Sequence, residues 1–181
     1  MQKMFHQQFP DVIEIILIFS QRFKDVVFEI NKVVVKLVLE IMKDKNDFEN
    51  IIKKLKNEFK GDKNQLHFQD QANTKEIVVN WYIVLFNNFD NDLVDSHKDI
   101  FITLIESINF QYPSLVQKII DLVCMLSVKN EEYFRDIMKT LIQRFHNSKK
   151  EINQERMNQI ITCLCNSIKP EKVFMEFATI F

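Results

Sequence analysis

One glycine, Gly61, is present in a chain of 181 residues. Glycine adopts positive φ angles freely, so tight turns, phosphate-binding loops and nucleophile elbows depend on it. The scarcity of glycine favours helices joined by short polar turns and disfavours a sheet-rich enzyme fold. Apolar residues make up 46% of the sequence, which is enough material for a packed core.

Apolar residues recur at helical spacing along the chain. One such stripe runs through Val26, Ile30, Val33, Val34, Leu37 and Ile41. The pattern predicts helices near residues 11–20, 24–43, 47–60, 74–89, 95–108, 113–127, 130–147, 152–168 and 170–181. Short polar side chains and one proline mark the predicted helix starts: Asp47, Thr74, Asp95 and Asn130 as N-caps, and Pro113 in a first turn.

The predicted helices fall into pairs. The second helices of successive pairs begin near Thr74, Pro113 and Ile152, at equal intervals of about 40 residues. This period is typical of HEAT and armadillo repeats, in which each unit packs on its neighbours. We therefore expect an all-α, HEAT/armadillo-type solenoid of about four helix pairs, with residues 1–181 as a single domain. A globular helical bundle is the alternative.

The balanced charge of the chain gives no overall electrostatic attraction to nucleic acid or to anionic membranes. Lysine plus arginine total 24 and aspartate plus glutamate 25, for a net charge of −1. The apolar stretch VIEIILIF is shorter than the roughly 20 residues that span a bilayer, and it contains Glu14. No small residues follow it as they do in a signal peptide. With three cysteines, an odd number, these features predict a cytoplasmic protein whose membrane contact is at most peripheral.

The cysteines and histidines do not form a recognisable site. Cys163 and Cys165 are separated by about 200° around a helix, so they cannot both face one metal ion. We interpret them, and Cys124, as packing residues. The four histidines share no ligand spacing: His6, His67, His97 and His146. Since no nucleophile–base set or phosphate loop is present either, the sequence predicts no enzyme activity, no cofactor and no metal.

Two features allow more than one interpretation. Trp81, the only tryptophan, lies among apolar residues and is predicted in the core, although tryptophan is also enriched at interface hot spots. The helix near residues 47–60 is locally basic, with Lys53, Lys54, Lys56, Lys60 and Lys63 in or beside it. A solvated helix face is the favoured interpretation, and contact with an anionic lipid headgroup is the alternative.

Polar stripes on the second helices are candidate partner-binding positions. In a HEAT solenoid these helices line the concave side, where partners dock. The candidates are Glu76, Asn80, Asn87, Lys118 and Asp121.

The two ends of the chain carry apolar surface. VFMEFATIF places an apolar set at helical spacing with no helix after it, and VIEIILIF is apolar almost all round. Because a solenoid needs polar caps at true ends, we expect these ends to pack against further repeats, a second copy or a partner. Phe174, Phe177 and Phe181 complete the candidate partner-binding residues.

The chain from about residue 70 onward resembles one HEAT family. The stretches that carry the resemblance are TKEIVVNWYIVLFNNF, HKDIFITLIESINFQYPSLVQKIIDLVCMLS and YFRDIMKTLIQRFHNSKKEINQERMNQIITCLCNSIKPEKVF. They are similar to segments of the vacuole-morphology HEAT scaffold (Vac-fourteen) of the phosphatidylinositol 3,5-bisphosphate kinase complex. Trp81 takes the position of that family's helix tryptophan, and Arg156, Ile160, Leu164 and Cys165 fall near its last motif.

The resemblance implies a specific function, which the composition and the residue spacing alone do not indicate. Members of that family act as noncatalytic scaffolds, which hold a FYVE-type lipid kinase and a Sac-type phosphatase together on endosomal or vacuolar membranes. The alternative is a generic HEAT or armadillo adaptor in another cytoplasmic complex.

Overall fold

The computed structural model describes residues 11–19, 24–41, 45–60, 68–88, 99–109, 112–146 and 153–180. The chain divides into two compact units, Met1–Leu93 and Val94–Phe181. The single domain expected over residues 1–181 stays a prediction, and each unit is described by itself.

The first unit is built around one long helix. Its helices are α1 (residues 11–19), α2 (Lys24–Ile41), α3 (Lys45–Lys60) and α4 (Phe68–Asn88). Helix α4 packs against both α2 and α3. Its buried side chains lie on several sides of the helix, as expected of a helix surrounded by others: Ile77, Val78, Val79, Trp81, Tyr82, Leu85 and Phe86.

The second unit stacks its helices in chain order. They are α5 (Asp99–Glu106) with a 3₁₀ turn at Ser107–Asn109, α6 (Pro113–Lys129), α7 (Glu131–His146), α8 (Gln154–Ser167) and α9 (Pro170–Ile180). Helix α5 packs on α6 and α7, α6 on α7 and α8, and α9 on both α7 and α8. Each helix thus meets those one and two places along the chain, which is how helix pairs stack in a solenoid.

These observations confirm the predicted fold class. Every described element is a helix, as an all-α fold requires, and the helices of the second unit stack in the order of a HEAT-type solenoid. Within the described ranges, none of the helices has the length and apolar character needed to cross a membrane.

Two of the predicted helix starts are confirmed by their local geometry. Pro113 lies in the first turn of α6, where its missing N–H costs nothing. Asn130 precedes α7, and its Oδ1 accepts a hydrogen bond from the backbone N–H of Glu132 at 2.8 Å. At α8 the cap is Asn153, whose Oδ1 accepts from the N–H of Arg156 at 2.9 Å.

Other predicted starts are wrong. Thr74 is a buried residue inside α4, because that helix already begins at Phe68. Asp47 lies inside α3, which begins at Lys45. The equal spacing of second helices therefore does not hold at α4. Asp95 lies outside the described residues.

Candidate interaction surfaces

Trp81 belongs to the core of the first unit. Its side chain is fully buried, and its Nε1 donates a hydrogen bond to Oδ1 of Asn31 on α2 at 2.6 Å. A buried indole N–H needs such an acceptor. The core interpretation of Trp81 is confirmed, so this tryptophan is no exposed anchor for a partner.

The cysteine pair that the fold brings together is Cys124 with Cys163, not Cys163 with Cys165. Cys124 is buried on α6, which packs against α8, and the other two cysteines are half-buried on α8. Burial, together with a hydrogen bond to the Cys163 thiol, raises the pKa of Cys124. Cys163 lies about 200° around α8 from Cys165, and its side chain reaches Cys124 on α6. Within the described ranges, no cluster of His, Cys, Asp and Glu has the arrangement of a metal site.

A polar groove runs between α7 and α9 in the second unit. Arg135 on α7 pairs with Glu131 at 3.1 Å on its own helix and with Glu176 on α9 at 3.8 Å. Lys172 on α9 lies 3.9 Å from Glu131, and its Nζ stands 5.4 Å from the ring centre of Phe134. The groove encloses about 710 Å³. Charges of both signs alternate along it, so it suits a polar protein segment better than a small ion of one sign.

An apolar flank lies on α9. Phe174 is 60% exposed and Met175 is also exposed, whereas the preceding residue, Val173, is fully buried. Phe177, one turn after Phe174, is half-buried. An exposed aromatic beside half-buried apolar residues has the composition of an interface anchor. Phe181 lies outside the described residues.

The polar candidates on α4 and α6 are dispersed. Glu76, Asn80 and Lys118 are half-buried, and Asn87 and Asp121 are exposed. Asp121 accepts a hydrogen bond from Nε2 of Gln117 at 2.8 Å, one turn away on α6. These residues belong to two different units, and their role in binding a partner stays a prediction.

One lysine of the basic helix α3 forms ion pairs with another helix of the first unit. Lys54 reaches α1, with its Nζ 2.6 Å from Glu14 and 3.5 Å from Asp11. Partial burial lowers the pKa of Lys54, but the hydrogen bond and charge of Glu14, with those of Asp11, outweigh it and hold the pKa above its ordinary value. Lys54 therefore ties two helices together. Lys53 and Lys60 are exposed, and Lys63 lies outside the described residues.

The outer face of α2 is an apolar surface that the sequence pattern identified as a helical stripe but did not show to be exposed. Val26, Ile30, Val33 and Leu37, which helped to identify the helix, are between 44% and 62% exposed. The face that packs inward is a different one, made by Val27, Asn31, Val35 and Val38. The sequence did contain evidence for an exposed apolar side, because α2 is apolar on more than one side and only one side can face the core.

Comparison with known proteins gives two related matches. The chain is 28% identical over 112 residues to "Protein VAC14 homolog" of Schizosaccharomyces pombe, a stretch that covers 61% of this chain and 14% of that protein. It is 24% identical over 114 residues to "Vacuole morphology and inheritance protein 14" of Saccharomyces cerevisiae, covering 62% of this chain and 13% of that protein. The chain thus spans a small part of the relatives that it matches. No protein-family model and no solved structure matches it.

Proposed function

We propose that this chain is a noncatalytic, helical scaffold segment of the VAC14 type, which binds other proteins through its surface. The observation that carries the proposal is the similarity to two VAC14 proteins from different yeasts, over about three fifths of the chain. The helical fold agrees with this role, because stacked helix pairs present long surfaces for docking.

The finer proposal concerns the partners. In the resembled family, a scaffold holds a phosphoinositide kinase and a phosphatase together, and we extend this role to the present chain. A FYVE-type lipid kinase and a Sac-type phosphatase are its proposed partners, and endosomal or vacuolar membranes are its proposed location. Its function would then be to bring opposing enzymes to one place for phosphatidylinositol 3,5-bisphosphate synthesis.

The proposed docking surface in the second unit combines the apolar flank with the polar groove. Phe174 and Met175 offer exposed apolar area, and Arg135, Glu176 and Lys172 line the adjacent groove with charges of both signs. An apolar anchor with a polar rim is the usual anatomy of a protein interface. The polar positions Glu76, Asn80, Asn87, Lys118 and Asp121 are proposed as secondary contacts.

Affinity purification of the tagged chain from its own cells, followed by mass spectrometry, tests this function. Recovery of both a FYVE-type lipid kinase and a Sac-type phosphatase is expected, and Phe174→Ser should reduce that recovery. Val128→Ser is the matched control, because Val128 is an apolar residue of the same unit with a similar exposure, 57%, on another helix. Recovery of unrelated proteins alone would favour the generic HEAT adaptor instead.

A further inference from the structure

The exposed stripe on α2 has the spacing of a helix-pairing seam. Val26, Ile30, Val33 and Leu37 follow one another at intervals of four, three and four residues. This alternation is the a/d pattern of a heptad, in which apolar side chains return to one line every 3.5 residues on average. All four side chains are exposed, so within the described residues nothing covers the seam.

The charges beside the seam lie on one flank only. Glu29 and Lys36, seven residues apart, hold the same heptad position and are both exposed. Glu29 also pairs with Lys32 at 2.7 Å on its own helix, an exposed contact that contributes little stability and can be exchanged. On the other flank the equivalent positions are Val27, which is buried, and Val34, which is half-buried. The seam therefore has one charged edge that faces solvent and one apolar edge that faces its own unit.

We propose that α2 pairs through this seam with α2 of a second copy of the chain, in antiparallel orientation. In that register Ile30 packs on Val33 of the other copy, and Val26 packs on its Leu37. The same register places Glu29 beside Lys36 of the second copy, twice in the pair. Apolar layers and charge pairs thus share one two-fold axis, which is the self-complementarity that a two-fold interface requires.

The parallel arrangement lacks this complementarity. In a parallel pair, the charged edge of one helix faces the apolar edge of the other, so Glu29 meets Val34 rather than Lys36. A buried or half-buried valine cannot form an ion pair with Glu29 or with Lys36. Only the antiparallel arrangement brings the two charged edges together, and this is why the second copy is assigned that orientation.

The test is the sedimentation of the 181-residue chain over a concentration series at low ionic strength, where surface charges are least screened. A single helix pair buries less area than a standard interface, so a dimer that forms with rising concentration is expected. Val33→Gln should abolish it. Glu29→Lys and Lys36→Glu should each weaken the dimer by about tenfold, because each turns two attractive pairs into repulsive ones. Lys53→Glu, an exposed charge reversal on α3, is the control.

A rescue experiment checks that the charge pairs act directly between the two copies. The double variant Glu29→Lys with Lys36→Glu restores both pairs and should dimerise within about twofold of the unaltered chain. The two single variants should also bind one another better than either binds itself. A chain that stays monomeric at every concentration, a dimer that Val33→Gln leaves intact, or a double variant as weak as the singles would each overturn the proposal. Pairing through α2 goes beyond the proposed scaffold function, and recovery of the lipid enzymes does not bear on it.

Discussion

The indole N–H of Trp81 donates to Oδ1 of Asn31 at 2.6 Å, and this bond joins α4 to α2 inside the first unit. Asn31 is a buried polar residue on the packed face of α2, and Trp81 is fully buried. Because water does not reach this buried position, the indole N–H and the asparagine Oδ1 supply each other's hydrogen bond. The bond therefore fixes which of the apolar sides of α2 turns inward, because only one side carries an asparagine that can meet the indole.

Asn31→Leu is expected to destabilise the chain by about 1–3 kcal/mol, since it leaves the buried indole N–H without its acceptor. Trp81→Ala should cost about 3–5 kcal/mol, the usual loss for a large buried aromatic. Chemical denaturation followed by circular dichroism measures both. The native tryptophan fluorescence should be blue-shifted, and a solvent-like spectrum would contradict the buried position.

A double-variant cycle isolates the bond. Trp81→Phe removes the donor and leaves Asn31 unpaired, whereas Trp81→Phe with Asn31→Leu removes both polar groups. The double variant should lose less stability than the sum of the singles. Glu49→Gln, at an exposed position of α3 in the same unit, serves as the control and should leave the unfolding free energy almost unchanged.

Sequence periodicity predicted the helices well but could not choose their inward faces. On α2, valines and leucines occupy several sides of the helix, so Val26 and Val27 look equivalent until Trp81 selects Asn31 as a partner. The start of α4 was missed for a related reason. FQDQANT is polar enough to look like a loop, yet Asn73 and Thr74 are buried by the helices around them. Tertiary packing overrides local preference in both cases.

The cysteines give a prediction about reactivity and metal content. Burial and the hydrogen bond to Cys163 raise the pKa of Cys124, so its reactive thiolate is scarce near neutral pH. Alkylation of the native protein, mapped by mass spectrometry, should leave Cys124 unlabelled while the half-buried Cys163 and Cys165 react first. Purified protein should hold no stoichiometric zinc, and a chelator should not change its melting temperature. Loss of helical circular dichroism on chelation would contradict the packing interpretation.

Lys54 predicts a loss of stability at alkaline pH. Its pKa in the folded chain lies above the ordinary value of 10.5, held there by Glu14 and Asp11. Its contribution to stability is therefore complete below that ordinary value, and it is lost as the pH rises through the folded pKa. Lys54→Met should remove this component.

The measurement is the denaturation midpoint from about pH 8 to pH 12, compared between the unaltered chain and Lys54→Met. The difference between the two midpoints should be largest at the lower end and should shrink above pH 10.5. Lys53→Met is the matched control, because Lys53 is the neighbouring lysine on α3 but is exposed. A difference that stays constant across the range would show that Lys54 acts through packing rather than through its charge.

The candidate docking surfaces depend on exposure that no sequence pattern reports. VFMEFATIF predicts an apolar helix end, and both Val173 and Phe174 fit its helical spacing. In the fold, Val173 is fully buried whereas Phe174 is 60% exposed, because α9 packs on α7 and α8 through one side only. Adjacent residues of similar hydrophobicity thus have opposite roles, one in packing and one at the surface.

Substitution of these two neighbours separates the roles. Phe174→Ser should leave the melting temperature nearly unchanged and should reduce the binding of a hydrophobic dye, because it removes exposed apolar area only. Val173→Ser should destabilise by about 1–3 kcal/mol, since it removes apolar contacts and buries a hydroxyl. Dye fluorescence and thermal unfolding of both variants measure this. If Phe174→Ser lowers the melting temperature as much as Val173→Ser does, Phe174 contributes to the packing of the second unit and is not available as an anchor for a partner.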